Sequence, residues 1–339
     1  MAYLCDSIRL EKGMYGEAGR SFTQVLERCD PSETYKGTAL EGLDAFQRQL
    51  KRFDIKVRGA GSDTVEKFFA SAESAVLFPE YIARAVRQGM EETNLLPDIT
   101  ATVTEFDGMD YRSISSVPED EKKLRRVEPG TKIPATAIKM QENLVRLHKR
   151  GRLLVASYET IRRRNLDLFS VTLRQIGAHI NRMQLEDAID VMLNGDGNNN
   201  AAGVKSVTAL DYGALVDFWN TFEPYRMNTL LAGGDTAATL LKLSQMQDAN
   251  AGLNFHGTGS MITPLGAKLL KTSAMAKNTL VGLDKNYALE MVSSGGVSVE
   301  YDKLIDRQLE RAAITVTSGF TKIFPDAVKV LKITPASGG

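Results

Sequence analysis

The chain has 339 residues, and its 43% hydrophobic and 25% charged residues are typical of a globular protein with a sizeable core. This length predicts about two domains, or one domain with a large insertion. The 42 Lys and Arg balance 42 Asp and Glu, so net charge gives no general attraction to nucleic acid or membrane. No run of about 18 apolar residues is present, and the charged N-terminus is unlike a signal peptide, so the sequence predicts neither a membrane span nor secretion.

Cysteine and histidine are scarce, which restricts the chemistry open to this chain. Cys5 and Cys29 are too few for a disulfide framework or a four-ligand zinc site, so we expect a reduced, cytosolic setting. The three histidines, His148, His179 and His256, lie in separate segments, whereas acid–base catalysis and metal binding commonly depend on imidazole. This inventory is poor for catalysis but does not exclude an enzyme. We predict no catalytic residue, no metal ligand and no cofactor, and our leading expectation is a protein that is not an enzyme.

The first hundred residues are predicted to be mainly helical. Apolar residues between Glu33 and Leu50 recur at spacings of three and four, which predicts one amphipathic helix over that range. The glycine-rich run at 59–62 indicates a hinge, so residues 1–74 are expected to form an arm or small helical appendage. Pro79 is expected to begin a further helix, because proline suits the first helical turn.

Residues 98–157 have a strand-like sequence that is interrupted by a polar loop. The segment TATVTEFDGMDYRSIS predicts a strand and a turn at Asp107-Gly108. After the polar stretch PEDEKKLRRVEPGTK, the sequence predicts a turn at Arg150-Gly151 and strands at 135–140, 144–147 and 153–156. Such a hairpin has no core of its own, and isolated hairpins are marginal in water, so we expect it to lie on a neighbour.

Positive charge is concentrated in residues 119–164, which hold thirteen Lys or Arg against six Asp or Glu. A solvated basic loop and an interaction surface both account for this excess, and the sequence leaves both open. Arg162, Arg163 and Arg164 precede a long helix, where positive charge opposes the helix dipole. Acidic groups are therefore expected opposite them, in the same chain, in a neighbour or in nucleic acid phosphate.

The clearest local pattern is an amphipathic helix over residues 164–193. Its apolar side chains alternate at three and four residues, which predicts a rod of roughly 45 Å, and Asn194-Gly195 is a typical helix end. Core packing is favoured over a free-standing coiled coil, so we predict a spine packed against strands. The predicted core residues of this spine are Leu166, Phe169, Leu173, Ile176, Ile180 and Met183, continued by Leu185, Ala188, Ile189 and Met192.

Two glycine-rich loops superficially match binding motifs. Residues 194–200 suggest a calcium loop, but they hold one carboxylate and lack the terminal glutamate, which favours a turn with left-handed backbone conformations. Residues 256–260 suggest a phosphate loop, but the Gly-Lys-Ser/Thr sequence that would meet phosphate is missing. We interpret neither loop as a ligand site.

The remaining sequence mixes helices with short strands. Helices are predicted at 234–248 and 264–273. Strands are predicted between Thr279 and Val299, with turns at 284–286 and 294–296, and again at 312–317 and 327–333. Parallel βαβ alternation is absent, which favours an α+β fold over a doubly wound sheet.

Taken in order, these segments resemble the major capsid protein of tailed bacteriophages, whose fold is shared with encapsulins. The Phe78-Pro79-Glu80 entry resembles the start of the family's shell-forming core, and the basic region 103–157 resembles its extended loop. The nearest literal match is Leu193-Asn194-Gly195-Asp196-Gly197 at the end of the spine helix, followed by Ala202-Gly203-Val204. The later matches are Leu280-Val281-Gly282-Leu283-Asp284 and Leu289-Glu290-Met291-Val292, which resemble axial-domain strands, and 313–332, which resembles the returning strand pair.

The resemblance implies an α+β, Hong Kong 97-like major capsid fold with an N-terminal arm, an extended β-hairpin loop, a long spine helix, and peripheral and axial domains. The implied divisions are 1–100 for the arm and helical appendage, 101–157 for the extended loop, 158–205 for the peripheral domain with the spine, 206–294 for the axial domain, and 295–339 for the return to the peripheral domain. The expected inter-subunit contacts are Arg125, Arg126, Lys132, Lys139, Arg162, Arg163 and Arg164.

The implied function is self-assembly into an icosahedral shell that encloses a phage genome. The expected partners are further copies in hexamers and pentamers, portal and scaffold proteins, and packaged DNA on the inner face, with no membrane. Assembly is expected in the bacterial cytoplasm, with the product in the virion. An encapsulin-type compartment and a cytosolic enzyme of unknown chemistry remain alternatives.

Two variations within the family bear on this chain. Some members join a loop lysine to an asparagine of a neighbour, and Lys132 lies near the expected loop tip, but residues 302–313 contain no asparagine to receive it. A covalent cross-link is therefore not expected. Some members also lose an N-terminal scaffolding segment, whereas here we expect residues 1–74 to stay attached as an arm that embraces neighbours.

Overall fold

The computed structural model describes residues 3–16, 20–108, 110–115, 126–130, 133, 139–157, 159, 163–247 and 261–334. The chain forms two compact units. Unit 1 comprises Met1–Thr93, Lys149–Asn181 and Gly295–Thr317, and unit 2 comprises Asn94–His148, Arg182–Ser294 and Ser318–Gly339. Helices and strands are mixed in both units, and the predicted α+β class is confirmed. Within the described residues, no helix is long and apolar enough to cross a membrane.

The helices of unit 1 are α1 (Phe22–Cys29), α2 (Ala45–Arg52), α3 (Ala72–Glu92) and the first part of α4 (Leu166–Asn194). Ser21, Asp44 and Ser71 cap the first three, each accepting a hydrogen bond from the backbone N–H three residues later. All four helices bury apolar side chains in one core, which includes Phe22, Leu26, Phe46, Leu50, Leu77, Phe78, Ile82, Leu166 and Leu173.

The predicted single helix from Glu33 to Leu50 is wrong. The chain instead makes a 3₁₀ turn at Ser32–Tyr35, passes through loops, and begins α2 only after Asp44. Gly37 and Gly42 both have a left-handed backbone, with φ of 75° and 80°, which a continuous α-helix does not contain. The apolar residues belong to a loop and a helix with different surroundings: Leu40 packs with Cys5 and Tyr35, whereas Phe46 and Leu50 belong to the larger core.

Pro79 lies inside α3, which begins at Ala72, so the prediction that Pro79 starts a helix is also wrong. A proline in a helix interior removes one N–H donor and crowds the preceding turn. The hydroxyl of Tyr15 enters the helix at this point. It accepts a hydrogen bond from the Glu80 N–H (3.0 Å) and donates one to the Val76 carbonyl (2.8 Å), so it bridges these two helix groups beside the proline.

Helices α3 and α4 approach each other closely through two buried glycines. A Cβ on Gly177 would lie 2.0 Å from the Val86 carbonyl oxygen, and a Cβ on Gly89 would lie 2.0 Å from the Arg174 carbonyl oxygen. Both distances are far shorter than any real contact of a Cβ atom. Only glycine therefore permits this crossing.

Unit 1 also contains parts of β4 (His148–Ser157), β9 (Leu289–Leu304) and β10 (Leu309–Lys322), which are adjacent in the order β9, β10, β4. The predicted turn at Arg150-Gly151 is wrong, because Gly151 continues β4. A Cβ there would lie 2.5 Å from the Ile314 carbonyl oxygen. The predicted turn at 294–296 is likewise part of β9, where Gly295 and Gly296 have positive φ of 72° and 65°, as in a bulge.

Unit 2 is built on a five-stranded mixed sheet. The strands are β5 (Gly203–Val207), β6 (Thr229–Ala232), β7 (Lys268–Lys271), β8 (Thr279–Leu283) and β11 (Val328–Ile333), in the order β5, β11, β8, β6, β7. The pairs β5–β11 and β6–β7 are parallel, whereas β11–β8 and β8–β6 are antiparallel. Helix α5 (Tyr212–Asn220) and α6 (Gly234–Leu241) bury Phe218 and Leu240 in a core beside this sheet.

Three sequence predictions fail in unit 2. Residues 264–273 were expected to be helical, but they contain β7, whose neighbouring Leu269 and Leu270 are both buried because both faces of the sheet are covered. The helix expected at 234–248 is divided into α6 and the short α7 (Ser244–Gln247). The strand expected at 144–147 is irregular backbone, although Val145 is buried.

The N-terminal strands of unit 2 are short. Strand β1 (Thr100–Glu105) pairs in parallel with the first residues of β9, and β2 (Ile114–Ser115) pairs antiparallel with β3 (Lys139–Met140). The later part of α4 packs its apolar face into the core of this unit through Leu185, Ala188, Ile189 and Met192. The predicted second stripe of the long helix is thereby confirmed.

Candidate functional site

The long helix α4 has the phase that its sequence indicates. Leu166, Leu173, Ile176 and Ile180 lie in the core of unit 1 and are at most 5% exposed. Phe169 is half-buried against the same core, and Met183 is half-buried in unit 2. On the opposite face, Leu168 and Val171 are 59% and 51% exposed. The helix therefore presents an apolar outer face as well as a buried one.

The expected contact residues are found in both units. Arg126 and Lys139 are exposed side chains of unit 2, and Lys139 stands in the short strand β3. Arg163 and Arg164 are exposed in unit 1, immediately before α4. Arg125, Lys132 and Arg162 lie outside the described residues.

Strand β4 is the last strand of its sheet, so one of its backbone edges is open in the described part of the chain. Leu154 and Ala156 face the core of unit 1. The alternate residues Leu153 and Val155 are 54% and 50% exposed. An edge strand with an exposed apolar face is a site at which another chain can bind or aggregate.

A buried carboxylate holds the start of the expected extended loop. Glu290 on β9 is 6% exposed and accepts hydrogen bonds from the hydroxyls of Thr104 (2.6 Å), Tyr111 (2.5 Å) and Ser113. Burial, together with this hydrogen bond to Glu290, raises the pKa of Tyr111 above its usual value. The segment that leaves β1 is therefore fixed to β9 by three side chains.

The loop after α4 is organised by the carboxylate of Asp196. Its backbone has positive φ at Gly195 (85°), Gly197 (96°) and Asn199 (56°), as expected for a turn. Asp196 Oδ1 accepts from the backbone and side-chain nitrogens of Asn198, at 3.1 and 2.9 Å. Asp196 Oδ2 accepts from the Thr321 hydroxyl at 2.6 Å and from the Lys322 N–H at 3.0 Å.

The same loop binds the segment at which the extended loop returns. Gln141 Oε1 accepts from the Asn198 side chain (3.1 Å), and Gln141 Nε2 donates to the Lys322 carbonyl (2.9 Å). Asn143 donates to Asn198 Oδ1 (3.0 Å) and to the Gly197 carbonyl (2.7 Å). We call Gln141, Asp196, Asn198 and Thr321 the loop clamp. It joins three segments of unit 2: the end of α4, the end of β10 and the returning loop.

The electrostatics of the loop clamp follow from burial. Burial would raise the pKa of Asp196, but hydrogen bonds from Thr321, Asn198 and Lys322 outweigh it, so this pKa lies below its usual value. Lys322 is fully buried and donates from Nζ to the Asn200 carbonyl (2.8 Å). Burial lowers the pKa of Lys322 to about 8, although the charge of Asp196 acts in the opposite direction.

A groove of about 180 Å³ lies beside the loop clamp in unit 2. Its lining includes Asp196, Asp187, Asp190, Arg146 and His148, and His148 Nδ1 lies 3.3 Å from Asp187 Oδ2. Among the described residues, no group of three or more His, Cys, Asp or Glu has the arrangement of a metal site.

The sequence predicts the turn that contains Asp196, but it does not predict the hydrogen bonds that make up the loop clamp. Asp196 directly follows the end of a 29-residue helix, where a negative charge is unfavourable beside the helix dipole. That misplaced charge was a signal that the carboxylate serves another purpose. Thr321, which bonds to this carboxylate, and Gln141, which bonds to Thr321, are 180 residues apart in sequence, and nothing local connects them.

The comparison with protein families decides what kind of protein carries this arrangement. A family model described as a phage capsid protein matches residues 141–321, more than half of the chain. The chain belongs to the phage capsid protein family. The matched region begins at Gln141 and ends at Thr321, so it contains the whole loop clamp, α4 and the five-stranded sheet up to β8. No curated protein matches the sequence.

Solved structures agree with the family. The virus-like particle from Pyrococcus furiosus has a TM-score of 0.52 at 14% identity, with 75% of this chain and 98% of that chain covered. The capsid of the native GTA particle has a TM-score of 0.53 at 15% identity, with coverages of 71% and 90%. The structure of Microbacterium phage Oxtober96 has a TM-score of 0.50 at 10% identity, with 72% of this chain and 91% of that chain covered. The expected Hong Kong 97-like fold of this phage capsid protein is confirmed, and the protein belongs among structural proteins of virions.

Proposed function

We propose that this capsid protein is the major head protein, which self-assembles into an icosahedral shell around a phage genome. The family match over 141–321 carries this proposal. The exposed apolar residues of β4 and α4 support it, because a monomer gains nothing from leaving such residues in water. Further copies of the chain, in hexamers and pentamers, are the proposed cover for these faces.

The extended loop, residues 101–157, is proposed to lie on a neighbouring copy. Within the residues that the structure describes, its return strand β4 offers an open backbone edge together with exposed Leu153 and Val155. Addition of chain to such an edge satisfies backbone groups and covers apolar area at the same time. The same proposal includes a peripheral domain formed by residues 158–205 and 295–339. It also includes an axial domain formed by residues 206–294.

The basic residues of the loop are proposed to act across the subunit boundary. Arg126 and Lys139 are exposed, so reversing the charge of Arg126 leaves the cores of both units unchanged. Changing Arg125 and Arg126 together to Glu should reduce shell yield, or make it strongly dependent on salt, because exposed charges are screened over about 10 Å in 0.1 M salt. Normal shells from the double variant, with an unchanged melting temperature, would show that these two arginines are not needed for assembly.

Residues 1–74 are proposed to be retained in the assembled shell. They supply core side chains to unit 1, including Phe22, Leu26 and Phe46. Arg48, which is fully buried, pairs with the buried Asp30 at 2.6 Å, and removing one partner of such a pair is costly. The earlier prediction that this region also embraces neighbours remains a prediction. Mass spectrometry of mature particles tests retention, since a chain that starts near residue 70 would contradict it.

The proposed partners beyond the chain itself are a portal, a scaffold and packaged DNA held without sequence preference, with assembly in the bacterial cytoplasm. Negative-stain microscopy and sedimentation of the purified protein test the central proposal. Closed shells or capsomers are expected. A monodisperse small oligomer at high concentration would contradict it, and shells from the native host that hold a protein cargo rather than nuclease-protected DNA would favour a storage compartment.

A further inference from the structure

We propose that Asp196 is a positioning residue for shell assembly, because the loop clamp fixes the direction in which the extended loop leaves its subunit. This inference rests on the proposed function and deepens it. The clamp joins the end of α4 and the end of β10 to Gln141, and Gln141 lies immediately after the short strand β3, where the loop returns. A small rotation at this point is multiplied along the loop, whose far end must reach a neighbouring copy.

The hydrogen bonds at Asp196 require a carboxylate. Each of its two oxygens accepts from two donors, so all four donors are satisfied by one side chain. An asparagine has the same shape, but its NH₂ group would face the two nitrogen donors of Asn198 in one orientation, and the Lys322 N–H beside the Thr321 hydroxyl in the other. Asp196→Asn therefore loses the bond to the Lys322 N–H or both bonds to Asn198, places an N–H donor against another donor, and removes the negative charge, while side-chain volume is unchanged.

The clamp is needed for the loop rather than for the fold of the elements it joins. Helix α4 and strand β10 are held in the core of unit 2 by Met192 and Phe320, which remain in any clamp variant. Residues 141–143 are attached to the clamp by polar bonds: Gln141 is buried and bonded to Asn198 and to the Lys322 carbonyl, and Asn143 is exposed and bonded to the loop at Gly197 and Asn198. Loss of the carboxylate should therefore release residues 141–143 first.

The experiment compares Asp196→Asn with Asp190→Asn in the full chain. Asp190 lines the same groove, six residues earlier in α4, but its carboxylate bonds only to Asn194 among the described contacts. Three quantities are measured: shell yield by sedimentation, subunit melting temperature, and hydrogen exchange at residues 139–145. We expect Asp196→Asn to lower shell yield at least tenfold and to speed exchange at 139–145, with melting within a few degrees of wild type. Asp190→Asn should resemble wild type.

A second pair keeps the test decisive if Asp196→Asn folds poorly. The Thr321 hydroxyl lies 2.6 Å from Asp196 Oδ2 and 3.0 Å from Gln141 Oε1, so Thr321→Val removes a clamp bond at constant shape. Thr321→Ser retains the hydroxyl. We expect the Ser variant to assemble and the Val variant to assemble poorly, with faster exchange at 139–145.

Each outcome separates this inference from the proposed function. Normal shells from both Asp196→Asn and Thr321→Val would overturn the positioning role and leave the capsid function intact. Equal loss of assembly in Thr321→Ser and Thr321→Val would also overturn it, because the hydroxyl would then be irrelevant. Absence of shells from wild-type protein would contradict the proposed function instead. In that case, unchanged hydrogen exchange at 139–145 in the variants would still show that the loop clamp does not hold the returning segment.

Discussion

The close crossing of α3 and α4 predicts that Gly177→Ala destabilises the protein, against the usual preference for alanine. In a helix interior alanine is favoured over glycine by about 1 kcal/mol. Here the new Cβ would lie 2.0 Å from the Val86 carbonyl oxygen, whereas ordinary contact begins at 3.4 Å. The helices must separate by about 1.4 Å, and the obstacle is backbone that has no rotamer to change.

The magnitude follows from these opposing effects. Overpacking a core costs about 1–3 kcal/mol, and a clash with backbone belongs at the upper end. After the helix preference is subtracted, a net loss of about 2 kcal/mol remains. For a unit of about 150 residues, this lowers the melting temperature by about 4–8 °C.

Gly213→Ala is the matched control for this measurement. Gly213 lies in the first turn of α5, is exposed, and has 3.4 Å between its hypothetical Cβ and Asp211 Oδ1. The same substitution should therefore be neutral or slightly stabilising there. Calorimetry or thermal melting of both variants gives the comparison. If Gly177→Ala melted at or above the wild-type temperature, the helix crossing described here would be wrong.

Three further predictions concern buried groups. Leu173→Asp places a charge in the core of unit 1, so it should cost several kcal/mol and abolish soluble subunit. Leu168→Asp changes an exposed residue of α4, so the yield of soluble subunit and its melting temperature should stay nearly unchanged. Tyr15→Phe should cost about 1–2 kcal/mol in urea unfolding, since the bonds of the Tyr15 hydroxyl to the Glu80 N–H and the Val76 carbonyl are lost, and equal stability would contradict that role. Because the pKa of Lys322 is lowered to about 8, the unfolded chain binds more protons than the folded chain from there up to the ordinary lysine pKa of about 10.4. Stability relative to Lys322→Met should therefore rise with pH across that window, by at most about 1.4 kcal/mol per pH unit, and a flat difference would refute the shifted pKa.

Long-range polar contacts explain why the candidate site was only partly predictable. The Asn-Gly-Asp-Gly motif was identified from sequence and interpreted as a turn, which its positive φ values bear out. Its partners were not identified, because hydrogen bonds between Gln141, Asp196 and Thr321 join residues that share no periodicity. A buried polar network leaves no hydrophobic pattern along the chain, so its members resemble ordinary loop residues until the fold brings them together.

The sequence by itself determined the elements in which one face is buried over many residues. The phase and end of α4, strand β11 and the α+β class follow from periodicity and from a glycine stop signal, and these signals are local. Only the tertiary structure decided the short or irregular segments. Lys268–Lys271 became a strand because both faces of its sheet are covered, and Pro79 lies within α3, where Tyr15 bonds to the neighbouring Glu80 N–H and Val76 carbonyl. Gly151 was expected in a turn, yet it lies inside β4, because the absent side chain makes room for the backbone of Ile314 in a neighbouring strand that the sequence does not identify.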